Sequence, residues 1–180
     1  MSLIPDTSPS HSDWQTTSLR VRQARAHDQK TIRSLVWGAK LNPLDLNWAR
    51  FIVAVDADDK VIGCGQIKIH SDNSCELASL AVAPDWRRRG VARHIIETLL
   101  MQNPGTLYLM CRSGLGPFYI RFNFRSIEEA QMPVYFRRIS RVFRWLRKFR
   151  LSRQSLLVMR KLDANDRSST PADQINKDSY

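Results

Sequence analysis

The stretch Cys75–Leu100, CELASLAVAPDWRRRGVARHIIETLL, is the most informative part of this 180-residue chain. It predicts a buried strand, a short turn opened by Pro84, and a helix whose first turn contains RRRGVA at 87–92. The free backbone N–H groups of a helix start, with arginine side chains beside them, favour a phosphate or pyrophosphate. Gly90 lets the backbone approach such an anion closely. The pattern therefore predicts an anion-binding site at the end of a strand.

The length and composition fit one domain of ordinary size, because 43% of the residues are hydrophobic. No run approaches the roughly 18 apolar residues of a membrane helix, and the N-terminus lacks a signal-peptide pattern. Residues 1–18 and 163–180 are rich in Ser, Thr and Asp, and we expect a flexible leader and a flexible tail around a domain at 19–162. The three cysteines have no zinc spacing, which favours reduced thiols in a cytoplasmic protein without a metal site.

The apolar pattern predicts strands and helices in an alternating order that is typical of a mixed α/β sheet. The predicted strands lie at 19–24, 50–56, 61–70, 75–83, 106–111, 124–128 and 155–162. The predicted helices lie at 28–40, 90–102, 114–122 and 133–149. Since a helix joins the strands at 75–83 and 106–111, we expect these two to be parallel through a right-handed crossover.

Three segments in this order resemble the GCN5-related N-acetyltransferases (GNAT). RRRGVA at 87–92 matches the family's Arg/Gln-x-x-Gly-x-Gly/Ala loop, with LAVAP at 80–84 before it and GPFYIRFNF at 116–124 after it. The similarity extends from about Leu19 to Phe124. It implies the acyl-CoA N-acyltransferase fold, a mixed central sheet whose parallel strands splay apart, here with an extra basic helix before the last strand. The alternative is a plain strand–turn–helix with a solvated arginine cluster.

The resemblance implies acetyl-CoA as the co-substrate and assigns its contacts. The backbone of Leu80, Ala81 and Val82 would pair with the pantetheine arm. Arg88 and Arg93 would add positive charge beside the pyrophosphate. The backbone N–H groups that would hold the pyrophosphate belong to Arg87, Arg88, Arg89, Gly90, Val91 and Ala92.

Glu76 is the candidate general base, because it resembles the glutamate of histone-acetylating members of the family. A lysine-like amine, with a pKa of about 10.4, is neutral in only roughly one molecule in a thousand at pH 7, so a base is useful. On a regular strand Glu76 would share a face with Ala78, Leu80 and Val82, whose apolar surface would raise its pKa. The alternatives are a solvent-facing glutamate and a water relay.

Tyr119 is the candidate general acid, because it matches the family's tyrosine on the short helix that faces the sulfur of CoA. There it would give a proton to the departing thiolate. The alternative is a core aromatic residue beside Phe118 and Phe122. Asn123 stands where the family usually has Gly, and Asn also tolerates a left-handed helix end. Arg112 stands near the family's frequent Asn and would contact either the CoA phosphates or the substrate.

The net charge of +11 is concentrated near the C-terminus. Residues 133–161 contain ten Lys/Arg and no Asp or Glu, and the rest of the chain is nearly neutral. The spacing predicts a basic amphipathic helix over 133–153. Either its apolar side docks on the sheet and its arginines are solvated, or it attracts an acidic acceptor, nucleic acid or an anionic membrane surface. Arg137 and Arg141 are the candidate substrate contacts.

The resemblance thus predicts an acetyl-CoA-dependent N-acetyltransferase that acts on a primary amine by direct attack in a ternary complex. The acceptor stays open between a small molecule and a protein lysine or N-terminus. An acyl-enzyme is not expected, since no His follows Cys111 in a nucleophilic arrangement. The alternative is a non-catalytic CoA-binding module that its basic helix attaches to nucleic acid or an anionic surface.

Overall fold

The structure, a computed structural model, describes residues 19–148 and 155–161. The predicted leader at 1–18, the predicted tail at 163–180 and the end of the predicted basic helix at 149–153 lie outside these residues. The described residues form one sheet with helices on both of its faces. The predicted mixed α/β fold is therefore confirmed.

Within the described ranges the sheet has seven strands, in the order β1-β2-β3-β4-β5-β7-β6. The strands are β1 Arg20–Gln23, β2 Phe51–Val55, β3 Val61–Ile69, β4 Cys75–Val82, β5 Leu107–Arg112, β6 Phe124–Ser126 and β7 Leu156–Lys161. The helices are α1 Gln29–Gly38, α2 Val91–Gln102, α3 Gly116–Ile120 and α4 Val134–Lys148. Single 3₁₀ turns lie at Ala26–Asp28, Trp48–Arg50, Pro84–Trp86, Ser113–Leu115 and Glu129–Gln131.

The pairing of β4 with β5 is short. These two strands are parallel, as predicted, and their register contains only Cys75 opposite Leu107 and Glu76 opposite Tyr108. The other neighbouring strands pair antiparallel. Beyond Glu76 the two parallel strands separate, so the predicted splay is confirmed. A gap therefore opens between the carboxyl halves of β4 and β5.

Helix α2 packs closely on one face of the sheet because β3 carries glycines beneath it. A Cβ atom added at Gly63 would lie 2.8 Å from Val91 Cγ1, and one at Gly65 would lie 2.8 Å from Ile95 Cγ2. Such separations are too short for a real contact, so larger residues would push the helix away. Helix α1 covers the other face with Ile32 and Val36. The position of the α2 start relative to β4 is thus set by this tight contact.

Several element ends differ from the prediction by one or two residues. Asp28 precedes α1 without capping it by its side chain, because its carboxylate accepts the backbone N–H of Arg25 at 2.7 Å and closes the preceding 3₁₀ turn. β6 ends at Ser126, and α3 covers only the middle of the helix predicted at 114–122. Asn123 has φ 66°, the left-handed conformation expected of a residue that replaces glycine there.

Candidate active site

A β-bulge interrupts β4 just before the predicted pantetheine contacts. Ala78 lies opposite Gln66 and Ala81 lies opposite Cys64, so that two residues of β4 face Gly65 alone. Ser79, the first of the two, has φ 54°. The left-handed conformation costs an L-residue about 1–2 kcal/mol, and such strain concentrates at functional sites. The bulge redirects β4 where it leaves β5, and the sequence carries no glycine that would have signalled it.

The bulge also corrects one prediction about Glu76. A regular strand would place Glu76 on the same face as Leu80 and Val82, and this is wrong. Glu76 lies opposite Lys68, on the face that α1 covers, whereas Leu80 and Val82 pack with Leu77 against the α2 side. The extra residue shifts the alternation of side chains by one position. Glu76 is therefore flanked by polar groups rather than by the apolar residues that were expected.

The backbone of Leu80, Ala81 and Val82 has one edge bound to β3 and the other edge facing the gap. On the β3 side, Ala81 pairs with Cys64 and Val82 with Gly63. On the β5 side, the described residues provide no ladder partner for these positions. Since an extended chain can add to an open strand edge, this segment can pair with an extended ligand.

The loop between β4 and α2 contains the residues predicted to bind an anion. Arg88 and Gly90 have left-handed backbones, with φ 62° and 80°, and α2 begins at Val91. Residues 87–90 form an exposed turn, and the first N–H groups of α2 lie directly after it. The helix start and three arginine side chains give this edge a positive potential. The structure thus brings the predicted pantetheine and pyrophosphate segments together at the carboxyl end of β4.

The arginines of this loop differ in their partners. Arg87 Nε donates to the backbone carbonyl of Val82 at 3.3 Å, and the Arg89 guanidinium lies 5.4 Å from the centre of the Trp86 ring. Arg93 Nε donates to Glu97 at 2.8 Å, which offsets its charge. Arg88 is exposed on the turn. Arg88 and Arg89 therefore offer more charge to an anion than Arg93 does.

Glu76 is buried, with 7% of its surface exposed. Its Oε2 lies 2.8 Å from His70 Nε2, and the ammonium of Lys68 lies nearby on β3. Burial raises the pKa of Glu76, although the hydrogen bond of His70 and the charges of His70 and Lys68 act in the opposite direction. A carboxylate with a raised pKa is a better proton acceptor than an ordinary one. The partnership with His70 was not foreseen from the sequence.

Tyr119 lies in the core on the opposite face, with 8% of its surface exposed. Its ring packs edge-on against Phe118 and Phe124 at centroid distances of 5.1 and 6.2 Å. Burial, and secondarily Cys111, raise the pKa of its phenol above the usual range. The phenol is consequently protonated at neutral pH and can serve as a proton donor. Tyr119 is thus a core aromatic residue whose hydroxyl keeps its proton at neutral pH.

The remaining candidate arginines lie in two places. Arg112 is exposed at the end of β5, on the same edge of the sheet as the anion loop because β4 and β5 are parallel. Arg137 is half-buried on α4. Arg141 is exposed, and its Nε donates to Glu129 at 2.7 Å, while Arg144 donates to the other oxygen of the same carboxylate. Glu129 lies just before residues 133–161, the segment without acids, so the sequence analysis did not predict it as a partner of these arginines.

No cluster of three or more His, Cys, Asp or Glu residues suited to a metal ion occurs in the described ranges. In the same part of the chain, no helix combines the length and the apolarity needed to cross a membrane. Cys64, Cys75 and Cys111 are free thiols. Burial raises the pKa of Cys111 to about 11, so its side chain is a thiol rather than a thiolate at neutral pH.

Comparison with known proteins gives one domain match and many structural matches. Residues 47–126 match the acetyltransferase (GNAT) domain, a range that contains the bulge, the anion loop and Tyr119. No curated protein sequence matches the chain.

Solved structures share the fold at low sequence identity. N-acetylglutamate synthase from Neisseria gonorrhoeae, complexed with coenzyme A and N-acetyl-glutamate, has a TM-score of 0.61 and 17% identity, covering 82% of this chain and 35% of that one. A Mycobacterium tuberculosis protein in complex with CoA has a TM-score of 0.62 and 22% identity, and the match covers 79% of this chain and 98% of that one. The ribosomal-protein-S18-alanine N-acetyltransferase from Escherichia coli has a TM-score of 0.55 and 15% identity, and the match covers 79% of this chain and 92% of that one. This chain thus spans about a third of the length of the Neisseria protein. At these identities the structural likeness establishes the fold.

Proposed function

Since residues 47–126 match the acetyltransferase (GNAT) domain, we propose that the protein transfers the acetyl group of acetyl-CoA to a primary amine. The observation that carries the proposal is the separation of β4 from β5 beyond Glu76, directly before an anion loop. An open strand edge followed by a positive helix start suits an extended ligand that ends in a pyrophosphate. The N. gonorrhoeae and M. tuberculosis proteins of the same fold are complexed with CoA, which supports acetyl-CoA as the donor.

In this proposal the backbone of Leu80–Val82 pairs with the pantetheine arm. The N–H groups of residues 87–92 bind the pyrophosphate, with Arg88 and Arg89 adding charge. Arg93 contributes less, because Glu97 already accepts its hydrogen bond. The bulge at Ser79 supports this assignment, since it lies directly before Leu80 in the part of β4 that has no ladder partner on β5 among the described residues.

The reaction has one bond formed and one broken. The amine nitrogen attacks the thioester carbonyl carbon, the C–N bond forms, and the C–S bond breaks. We propose that Glu76 accepts the proton that the amine loses and that Tyr119 gives a proton to the departing thiolate. Glu76 and Tyr119 lie on opposite faces of the sheet, and Glu76 is the last residue of β4 that pairs with β5. A thioester in this gap would thus have a base on one side and an acid on the other.

Direct attack by the amine is favoured over an acyl-enzyme. The only cysteine near the gap on β5 is Cys111, and its raised pKa of about 11 makes it a weak nucleophile at neutral pH. The free thiols also fit a reducing, cytoplasmic location, which stays a prediction.

For the acceptor we propose an amine that carries a carboxylate or lies in an acidic segment. Arg112 and Arg137 support this class by their charge and position, and Arg141 supports it less because Glu129 binds it. The same fold in N. gonorrhoeae is complexed with N-acetyl-glutamate, and in E. coli it acts on the alanine of ribosomal protein S18. Both small amines and protein N-termini therefore belong in the assay.

Acetyl-CoA consumption with a panel of amino acids, polyamines, N-terminal peptides and lysine peptides tests the proposal. We expect turnover by the wild type on at least one acidic amine. Tyr119→Phe and Glu76→Gln should each lower kcat by about 10²-fold or more, the usual contribution of a placed acid or base. Tyr108→Phe, which removes a phenol from the same region, should change kcat much less. Binding of CoA without turnover on any amine would show instead a non-catalytic CoA-binding module.

A second proposal concerns the exposed end of α4, which we propose docks on an anionic membrane surface. Val142, Phe143 and Trp145 are 53, 41 and 59% exposed, and Arg138 and Arg144 are exposed beside them. Exposed aliphatic and aromatic groups flanked by arginines are typical of helices that lie in a lipid interface. Nucleic acid would bind the arginine side chains through its phosphates but would leave the apolar side chain of Val142 exposed to water. The interaction would place the enzyme at a surface without changing its chemistry.

A further inference from the structure

A buried imidazole–carboxylate pair lies where the β3–β4 hairpin meets the start of α4. His70 Nε2 and Glu76 Oε2 are 2.8 Å apart, and the two side chains are 10% and 9% exposed. A hydrogen bond at this length requires that Nε2 carries a proton when Glu76 is ionised. In the neutral imidazole the other ring nitrogen, Nδ1, then carries no proton and can only accept a hydrogen bond. One oxygen of Glu76 is thereby occupied, and Oε1 is left for another partner.

The imidazole of His70 is held on two sides by aromatic rings of α4. The Tyr135 ring stacks on it at a centroid distance of 3.5 Å and an interplanar angle of 12°. Phe136 meets it edge-on at 5.6 Å and is itself fully buried. These contacts fix the plane of the imidazole, so the direction of its Nε2–H bond is fixed as well.

Helix α4 is in turn attached to the same hairpin. Asp72 Oδ2 accepts the backbone N–H of Tyr135 at 2.8 Å. Tyr135, whose ring stacks on His70, is therefore held through its backbone by Asp72, which lies two residues after His70 in the same hairpin. The hairpin, the helix start and the histidine form one rigid unit around Glu76.

Four other titratable groups lie near the pair. Lys68 stands opposite Glu76 on β3, and its ammonium donates to the backbone carbonyl of Leu44 at 2.8 Å. Asp72 belongs to the hairpin and Tyr135 to α4. Tyr108 lies opposite Glu76 on β5. Of these, Lys68 brings a positive charge close to Glu76 but donates its hydrogen bond to Leu44. Among the described residues, the Glu76 carboxylate has its side-chain hydrogen bond with His70.

We propose that His70 is a positioning residue for Glu76, which it orients toward the acceptor amine and keeps ionised. The inference rests on the proposed function in that Glu76 is the base. His70 binds Oε2 and thereby directs Oε1 to the proton that the amine loses. A buried carboxylate without this bond would be turned and more often protonated. The sequence gives no sign of this role, since His70 lies six residues before Glu76 with no recognisable motif.

The test compares His70→Leu with His70→Gln, which retains an N–H donor. The acid limb of the kcat/KM profile reports the ionisation of the base in the free enzyme. Loss of the His70 hydrogen bond removes an interaction that favours the carboxylate, so the limb should move to higher pH in His70→Leu, by about one pH unit. His70→Gln should stay closer to the wild type. His27→Leu, at a histidine that is 67% exposed, serves as the matched control and should leave the limb in place.

Two further measurements separate the possible explanations. In the Glu76→Gln background, His70→Leu should cause little additional loss of kcat, because its effect acts through Glu76. Equal losses in both backgrounds, or an unmoved acid limb with only a lower melting temperature, would overturn the proposal. NMR titration of a ¹³C-labelled Glu76 carboxyl gives the pKa without turnover. If no amine is acetylated, a higher pKa of Glu76 in His70→Leu still supports the positioning role, and an unchanged pKa contradicts it.

Discussion

At the scale of single residues, Gly90 determines how the turn after β4 becomes α2. Its φ of 80° is a conformation that costs an L-residue about 1–2 kcal/mol. A Cβ atom added there would meet only the His94 ring, at 3.6 Å, which is an ordinary contact. The glycine is therefore required by the backbone rather than by lack of space. Together with the left-handed Arg88 it shapes the turn that presents the N–H groups of the anion site.

Gly90→Ala should lower the free energy of unfolding by about 1 kcal/mol, because alanine resists the left-handed conformation. It should also weaken CoA binding several-fold, since the turn relaxes away from the geometry that holds the pyrophosphate. Urea unfolding and calorimetric titration with CoA measure the two effects. Gly105→Ala is the matched control, because an added Cβ there meets no atom within 4 Å and its φ is not left-handed. Equal losses of CoA affinity in both variants would contradict the assignment of the loop.

At the scale of elements, α4 obtains its N-terminal cap from a distant part of the chain. Pro133 precedes the helix and offers no side-chain acceptor, while Asp72, 63 positions earlier, accepts the N–H of Tyr135. The same carboxylate accepts hydrogen bonds from the hydroxyl and the backbone of Ser74. The hydrogen bonds of Ser74, and then that of Tyr135, lower the pKa of Asp72 to about 2. A carboxylate at a helix start is also favoured by the helix dipole.

Asp72→Ala should cost about 1 kcal/mol of stability, the typical value of a lost N-cap, and should loosen the start of α4 over His70. The folded pKa of about 2 lies below the ordinary value of about 3.9, so this stabilisation is complete above the ordinary value and is lost as the pH falls toward 2. The difference between wild type and variant should thus be full at pH 6 and only a small fraction of that at pH 2 in urea unfolding experiments. Asp58→Ala, at an exposed hairpin acid, should show no such difference. A difference independent of pH would contradict the cap.

The elements that sequence predicts best are those that depend on local pattern. β4 and α2 lie within a residue of their predicted bounds, because alternation and three-to-four spacing are visible without any partner. The bulge at Ser79 was missed because it depends on how β3 pairs with β4, and the wrong face for Glu76 followed from it. The Asp72 cap and the His70 stack join segments more than 60 residues apart, so no local pattern reports them.

At the scale of the whole molecule, the excess of 28 basic over 17 acidic residues is concentrated in residues 133–161, which contain ten Lys/Arg and no acid. The start of α4 is docked through Tyr135 and Phe136 and belongs to the site around Glu76. Further along, residues 141–145 are all exposed. Glu129 neutralises part of this charge by binding Arg141 and Arg144. One helix thus serves the candidate active site at its first turn and presents a basic, partly apolar surface beyond it.

This division predicts that surface binding and catalysis can be separated. The protein should sediment with vesicles of phosphatidylcholine that contain phosphatidylglycerol, more weakly with pure phosphatidylcholine, and less as salt increases. Trp145→Gln should reduce the binding several-fold because it removes apolar surface from the interface. Trp37→Gln is the matched control, since Trp37 is 73% exposed and belongs to α1 rather than to the basic helix. Acetyl transfer to a soluble amine should be unchanged in both variants.

The outcomes identify the partner of this surface. Salt-sensitive binding to a DNA duplex without binding to vesicles would show that the arginines act alone and that nucleic acid is the ligand. Self-association that Trp145→Gln abolishes, again without vesicle binding, would show a second copy of the chain on the apolar face. Anionic vesicles require both features at once, the exposed apolar groups and the arginines beside them. Loss of binding on removing Trp145 but not Trp37 is therefore the result that distinguishes a lipid interface from attraction by charge alone.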